Sequence, residues 1–197
     1  MKNSTHYLFS VGLLNLYALY LISDPLLAWF CLGLSFPLSG ISFIPNFLDS
    51  YTAASFQYEG VQFKHRAAIQ YRHPLTHSPW TLGYFVPGFY IAEKTSEPVF
   101  IIIVSALFLG WCSHLFLDAL NPEGIPLGKT PVYTPHPVKH YSWRQPTKAR
   151  TFRLARIPFN HFKANLVLSR IGLLFLALNV ADLVLNHLNI ISEVMSF

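Results

Sequence analysis

Charged residues are scarce in this chain of 197 residues: Asp, Glu, Lys and Arg together make up 12% of it, about half of their share in soluble domains. The shortage excludes a disordered chain and a coiled coil, since both are rich in charge. Apolar residues supply 52% of the sequence, and the mean hydropathy is +0.37. This composition predicts an integral membrane protein that forms a single domain.

Cysteine is almost absent, which excludes several classes of small protein. Cys31 and Cys112 both lie inside apolar stretches and form neither a CxxC pair nor a zinc-finger spacing. Two such cysteines cannot build a disulfide framework.

Acidic residues are also few, which leaves a net charge of +5 and suits contact with anionic lipid or nucleic acid.

Long apolar runs dominate the chain, and a helix needs about 20 apolar residues to cross the hydrocarbon layer. Four runs approach that length: residues 7–23, 26–44, 99–117 and 166–185. A fifth run, residues 80–92, is shorter and is interrupted by Pro87 and Gly88. The number of crossings, and so the side on which each loop lies, depends on whether this fifth run spans the membrane.

Basic residues are distributed unevenly between the two sides. If residues 80–92 span, all of the 14 basic residues except Lys94 and Arg170 fall on one side. The positive-inside rule assigns that side to the cytoplasm. We therefore predict an all-α bundle of five transmembrane helices in the plasma membrane, with the amino terminus in the cytoplasm.

The polar segments between the runs carry weaker structural signals. A short helix is predicted within residues 56–71. Residues 121–158 contain many prolines, which excludes a long helix and predicts a basic loop on the membrane surface. The chain thus divides into a core over residues 1–130, a basic loop over residues 131–165 and a carboxyl-terminal helix over residues 166–197.

The strongest chemical signal is a histidine and an aspartate at the inner end of one apolar run. His114 and Asp118 are four residues apart, so a helix places them on one face, where imidazole and carboxylate can bind one ion. Ionisable residues at membrane depth are costly and are commonly functional. The alternative is a hydrogen bond at the helix end that only supports packing.

A second signal lies in the segment from Arg72 to Pro79. His73 and His77 are four residues apart and can bind one metal ion or flank a phosphate. Ser78 followed by proline has the form of an N-cap that opens the next helix, and the first N–H groups of a helix favour an anion. For either histidine alone, a polar turn beside the membrane is the alternative.

Two further residues fall at the same depth, because His6 precedes the first apolar run and Asp49 follows the second. Under the predicted topology six side chains meet at one inner cluster: His6, Asp49, His73, His77, His114 and Asp118. Mixed histidine and carboxylate ligands suit zinc, manganese or iron, and an open position on such an ion supplies activated water. Four histidines are left out because they lie in the basic loop or on the far side: His136, His140, His161 and His187.

In this order, the motifs resemble those of the YdjM-like family of membrane-bound, metal-dependent hydrolases. That family has an early histidine, an L-P-D-x-D stretch, an H-R-x-x-T-H-S block and an H-x-x-x-D helix end. The corresponding segments here are His6, Ile44-Pro45-Asn46-Phe47-Leu48-Asp49, His73-Pro74-Leu75-Thr76-His77-Ser78, and His114 to Asp118 followed by residues 121–127. Asn46 stands where the family has its first aspartate, and Pro74 stands where it has arginine.

The resemblance implies a divalent metal cofactor, with zinc expected and manganese or iron as alternatives, and a phosphoester substrate such as a phospholipid head group. The predicted metal ligands are His6, Asp49, His77, His114 and Asp118. The predicted catalytic residues are His73, His77 and Asp118, and the predicted phosphate contacts are Arg72 and Ser78.

Two other functions remain open. A metal-free lipid phosphatase also ends in H-x-x-x-D, but it ranks low because P-S-G-H, and a Ser-Arg pair five residues before the last histidine of the motif, are absent here. The serious alternative is a non-enzymatic membrane protein. Its basic loop, from Lys139 to Lys163, would bind anionic lipid, nucleic acid or a protein partner.

Overall fold

The computed structural model describes residues 3–53, 57–58, 61–62, 69–72, 74–122, 124–128, 132–135, 150–157 and 161–195. Most of the described chain is helical, which confirms the predicted all-α class. The α-helices are α1 (Asn3–Leu21), α2 (Pro25–Ser39), α3 (Ile44–Ala53), α4 (Pro74–His77), α5 (Val86–Thr95), α6 (Pro98–Ala119) and α7 (Phe162–Met195). Two 3-10 helices, Gly40–Phe43 and Pro79–Phe85, join α2 to α3 and lead into α5.

Three helical stretches of the described chain are long and apolar enough to cross a membrane: Pro25–Leu48, Pro98–Ala119 and Phe162–Leu188. They contain three of the predicted spans, residues 26–44, 99–117 and 166–185. Helix α1 is 19 residues long but less apolar, because its first turn is polar and Asn15 interrupts its middle. These helices are consistent with a helical membrane protein. The carboxyl-terminal helix begins at Phe162, before the predicted boundary at residue 166.

The turn between α1 and α2 reverses the chain direction. Asp24 caps α2, because its carboxylate accepts hydrogen bonds from the backbone N–H groups of Leu26 and Leu27 at 2.8 and 3.1 Å. Along the antiparallel pair, the Tyr7 hydroxyl donates to the Phe36 carbonyl oxygen at 3.0 Å. The start of α1 therefore lies beside the end of α2.

Helix α6 also runs antiparallel to α1. His6, in the first turn of α1, lies next to Asp118, in the last turn of α6. At the other end of the pair, Ala18 and Ile102 share one hydrophobic cluster with Cys31 of α2. One end of the bundle thus holds the start of α1 and the end of α6, and we call it the histidine end.

Helix α7 runs parallel to α1 at very short distance. The Thr5 hydroxyl donates to the Asn165 side-chain oxygen, and further along the pair the Asn179 amide donates to the Asn15 side-chain oxygen, both at 2.8 Å. The backbones approach closely because Gly12 of α1 faces Gly172 of α7. Small residues commonly allow this approach in membrane helices.

The segment from Pro79 to Thr95 follows α6 in the opposite direction. Near the histidine end, the Trp111 indole N–H donates to the Thr81 hydroxyl at 2.8 Å. Further along, the rings of Phe85 and Phe108 have their centroids 5.7 Å apart, and Gly88 then packs against Val104. This segment therefore carries the chain from the histidine end to the opposite end of the bundle, where α6 begins.

Short strands of the described chain form antiparallel pairs: β1 (Gln57–Tyr58) with β2 (Val61–Gln62), β3 (Ile69–Arg72) with β5 (Val132–Pro135), and β4 (Ile125–Pro126) with β6 (Thr151–Phe152). The short helix predicted for residues 56–71 is not seen in the described parts of that segment, residues 57–58, 61–62 and 69–71, which pair as strands; the other residues of the segment lie outside the described chain. Beyond β6, the backbone N–H groups of Leu154 and Ile157 donate to the carbonyl oxygens of Ala119 and Leu120. The basic segment is thereby fastened to the end of α6.

Candidate metal centre

Five buried polar side chains meet at the histidine end, and they come from four separate elements. His6 lies in the first turn of α1, Arg72 ends β3, His77 ends α4, and His114 and Asp118 lie in the last two turns of α6. None of the five is more than 3% exposed. Burying this many ionisable groups together is costly unless they pair or bind an ion, so the cluster is the strongest functional candidate in the described part of the chain.

Three side chains bring ligand atoms to one point. The Nε2 atoms of His77 and His114 are 2.9 Å apart, and they lie 3.3 and 3.5 Å from Oδ2 of Asp118. Ligands about 2.1 Å from a tetrahedral ion lie about 3.4 Å from each other. Because the observed spacings fall near that value, this group could hold a metal ion.

His6 adds a third imidazole beside this group. Its Nε2 lies 3.6 Å from Oδ1 of Asp118, and its ring centroid is 4.5 Å from that of His114. His6 therefore touches the second carboxylate oxygen rather than the one that faces His77. It is available as a further ligand or as a side chain that supports the ligands.

Two features of hydrogen bonding fit a bound cation. Among the described residues, Oδ2 of Asp118, the oxygen that faces the two imidazoles, accepts no well-aligned hydrogen bond, although Arg72 Nε pairs with it as an ion at 2.8 Å. The Nδ1 atom of His77 lies 3.0 Å from the Thr76 hydroxyl. A hydrogen bond on one ring nitrogen fixes the imidazole orientation and points the other nitrogen, Nε2, toward the ligand position.

Arg72 occupies the other side of the carboxylate. Its Nε and Nη2 atoms lie 2.8 and 3.0 Å from the two oxygens of Asp118, and Nη1 donates to the Gly124 carbonyl oxygen at 2.8 Å. Asn121 also donates to Oδ1 of Asp118, at 3.0 Å. The guanidinium expected to contact phosphate is therefore engaged by protein groups in this structure.

Backbone geometry aims the Gly124 carbonyl at this arginine. Gly124 has a φ of +71°, a backbone conformation that residues other than glycine rarely adopt. A Cβ atom at this position would also lie 2.3 Å from the Phe152 carbonyl oxygen. Glycine is therefore required where the chain leaves α6, turns and enters β4.

The predicted site residues have different outcomes. The structure brings together His6, Arg72, His77, His114 and Asp118. Ser78 caps the next helix as predicted, since its hydroxyl accepts from the Trp80 backbone N–H at 3.2 Å, although that helix is of the 3-10 type. His73 lies outside the described residues, and so does the side chain of Asp49, whose backbone belongs to α3.

The histidines that were left out have no place in the described cluster. His161 immediately precedes α7, and its Nδ1 accepts from the Ala164 backbone N–H at 3.2 Å, whereas His187 is exposed on that helix. His136 and His140 lie outside the described residues. The sequence interpretation overlooked Asn121, although its position three residues after Asp118 would have placed it on the same face.

No family model, curated protein or solved structure matches this chain. The resemblance to the YdjM-like family therefore stays a prediction.

Proposed function

We propose that this protein is a membrane-bound, metal-dependent hydrolase that cleaves a phosphoester at the inner membrane surface. One observation carries the proposal: two buried imidazoles and a carboxylate, from α4 and α6, converge with ligand spacing. A structural hydrogen bond between His114 and Asp118 would not need a second imidazole 2.9 Å from the first.

Each side chain has a defined task in this proposal. His77, His114 and Asp118 hold the ion, His6 supports the carboxylate, and Asn121 fixes its orientation. A divalent ion in such a site supplies a hydroxide-like water at neutral pH and polarises a phosphoryl oxygen. His73 and Asp49 stay predicted participants, as a catalytic residue and a ligand.

The positive charge of the chain supports a phosphoester as the substrate. In sequence, most basic residues of the chain lie between α3 and α4 or between α6 and α7, and under the proposed topology these segments attract anionic groups on the cytoplasmic side. A phospholipid head group is one such substrate, and a soluble phosphoester or a nucleic acid is another. The site lies where a helix bundle meets the membrane surface, which favours the lipid.

The metal content of the protein tests the proposal directly. We expect zinc, manganese or iron in protein purified in mild detergent, measured by elemental analysis. Chelation should remove the ion and abolish cleavage of phosphodiester and phosphomonoester substrates, and adding the ion back should restore it. Metal-free protein whose hydrolytic activity is insensitive to chelators would contradict the proposal.

We also propose five membrane crossings, with the histidine end in the cytoplasm. The course of Pro79–Thr95 along α6 supports the fifth crossing. Its 3-10 helix of 7 residues and α5 of 10 residues measure about 29 Å end to end. This nearly equals the hydrocarbon thickness of about 30 Å, because a 3-10 helix rises more per residue than an α-helix.

Cysteine labelling from one side of the membrane tests the topology. In a chain with Cys31 and Cys112 replaced by alanine, we expect Lys94→Cys to react with an impermeant maleimide on intact cells. Leu75→Cys and Arg150→Cys should react only after lysis. Labelling of positions 75 and 94 from the same side would refute the fifth crossing, and a full reversal would refute the orientation.

A further inference from the structure

Arg72 occupies the same carboxylate that the proposed ion requires. We propose that Arg72 sets the metal affinity of the site: its guanidinium is the counter-cation of Asp118 when no ion is bound, and it leaves when the ion binds. The inference rests on the proposed metal centre and concerns its regulation. Arg72 is 2% exposed, and two nitrogens of its guanidinium contact the two carboxylate oxygens of Asp118. It is therefore a buried, ion-paired residue and not a solvent-exposed one.

The lone pairs of Asp118 show why the two cations compete. Oδ1 already accepts from Arg72 Nη2 and from Asn121, which uses both of its acceptor sites. Oδ2 is the oxygen near the Nε2 atoms of His77 and His114, and it is also the oxygen 2.8 Å from Arg72 Nε. An ion shared with the two imidazoles must therefore use the oxygen that the guanidinium contacts.

Charge makes joint occupancy unfavourable. An ion about 2.1 Å from Oδ2 would lie less than about 5 Å from Arg72 Nε, which is itself 2.8 Å from that oxygen. One carboxylate cannot neutralise both a divalent ion and a guanidinium. Because the cluster is buried, water screens this repulsion only weakly.

The same movement of Arg72 would also weaken the contact between β3 and the segment before β4, which packs over the site. Arg72 is also hydrogen-bonded to the Gly124 carbonyl oxygen, next to β4, whose residue Ile125 is buried against the end of α6. When Arg72 leaves Asp118, this tie between β3 and the segment before β4 is lost. The proposal thus couples ion binding to opening of a site whose described side chains are all buried.

Metal titration of two arginine variants tests the inference. We expect Arg72→Gln, which removes the charge but keeps an amide donor, to bind Mn²⁺ or Zn²⁺ about tenfold or more tightly than the parent chain, measured by calorimetry in detergent. Arg72→Lys keeps the charge and should bind within about threefold of the parent. Arg153→Gln, at an exposed arginine of the same connecting segment, is the matched control and should change nothing.

A chemical probe gives a second measurement that needs no activity. Phenylglyoxal modifies accessible arginine, and mass spectrometry locates the adduct. Without metal Arg72 should be protected, and saturating Mn²⁺ should expose it. This measurement on the parent chain decides the matter if Arg72→Gln does not fold.

The outcomes separate the two proposals. Equal or weaker ion binding by Arg72→Gln, or an Arg72 that stays protected when metal is bound, would show that arginine only positions Asp118, and the competition would be refuted while the metal centre stands. Absence of ion binding in the parent chain and in both variants would refute the metal centre and the competition together.

Discussion

Replacing His114 with alanine is expected to lower metal affinity by about 100-fold or more and to reduce phosphoester hydrolysis to background. The expected loss is large because this imidazole is one of three groups placed to bind the same ion. Even substitutions of residues that only hydrogen-bond to a metal ligand typically cost 10–100-fold in affinity or activity. Calorimetric titration with Zn²⁺ and Mn²⁺, together with a hydrolysis assay, measures both effects.

His114 is a better choice for this experiment than Asp118. Removing the carboxylate would leave Arg72 as an unpaired buried charge, a change that typically costs about 3–5 kcal/mol of stability. The loss of folded protein would then be confused with the loss of an ion. The described contacts of His114 are to other imidazoles and to Asp118, so its removal leaves no buried charge unpaired.

A histidine elsewhere provides the control for this substitution. His187→Ala changes the same residue type on the exposed face of α7 and should leave both measurements unchanged. The hydrolase proposal would fail if His114→Ala kept full metal binding and activity. If every function of the protein survived that change but disappeared on neutralising Arg150, Arg153 and Arg156, the basic-loop alternative would be favoured.

The sequence alone predicted the parts of the site that local spacing determines. His114 and Asp118 share a face because a helix repeats every 3.6 residues, and Ser78 caps the next helix because serine before proline favours that geometry. The convergence of His6 with Asp118 was also predicted, but only through the assumed number of crossings. An even number of crossings between His6 and Asp118 could be inferred from charge, because the basic residues are so unevenly distributed between the two sides.

Other features could not be read from local pattern. Arg72 was assigned to phosphate, whereas its partner is Asp118, which is 46 residues away. Only the pairing of β3 with β5 and the turn at Gly124 bring that arginine to the carboxylate. The sequence predicts a short helix around residues 56–71, but the described parts of that segment form strands. These strands depend on cross-strand partners, and such non-local pairing is weakly encoded in local propensity.

The close approach of α1 and α7 leads to the second large expected effect. A Cβ atom on Gly12 would lie 2.4 Å from the Cα atom and 2.6 Å from the carbonyl oxygen of Gly172. These are backbone atoms of a neighbouring helix, so no side chain can rotate away to relieve the contact. Gly12→Ala must therefore push the two helices apart.

We expect Gly12→Ala to destabilise the protein by about 1–3 kcal/mol, the usual cost of overpacking, and a larger residue to prevent folding. Separation would lengthen the hydrogen bonds between Asn15 and Asn179 and between Thr5 and Asn165, and it would shift His6, which belongs to the same helix. Thermal unfolding in detergent should show a lower midpoint, and metal titration should show weaker binding.

A second helical glycine separates the steric effect from the general consequences of adding a methyl group. Gly33 of α2 has open space where a Cβ atom would lie, and alanine is favoured over glycine by up to about 1 kcal/mol within a helix. Gly33→Ala should therefore keep or raise the unfolding midpoint and leave metal binding unchanged. If Gly12→Ala behaved in the same way as Gly33→Ala, Gly12 and Gly172 would not lie in contact. The inference that packing of α7 against α1 helps to position His6 at the histidine end would then be refuted.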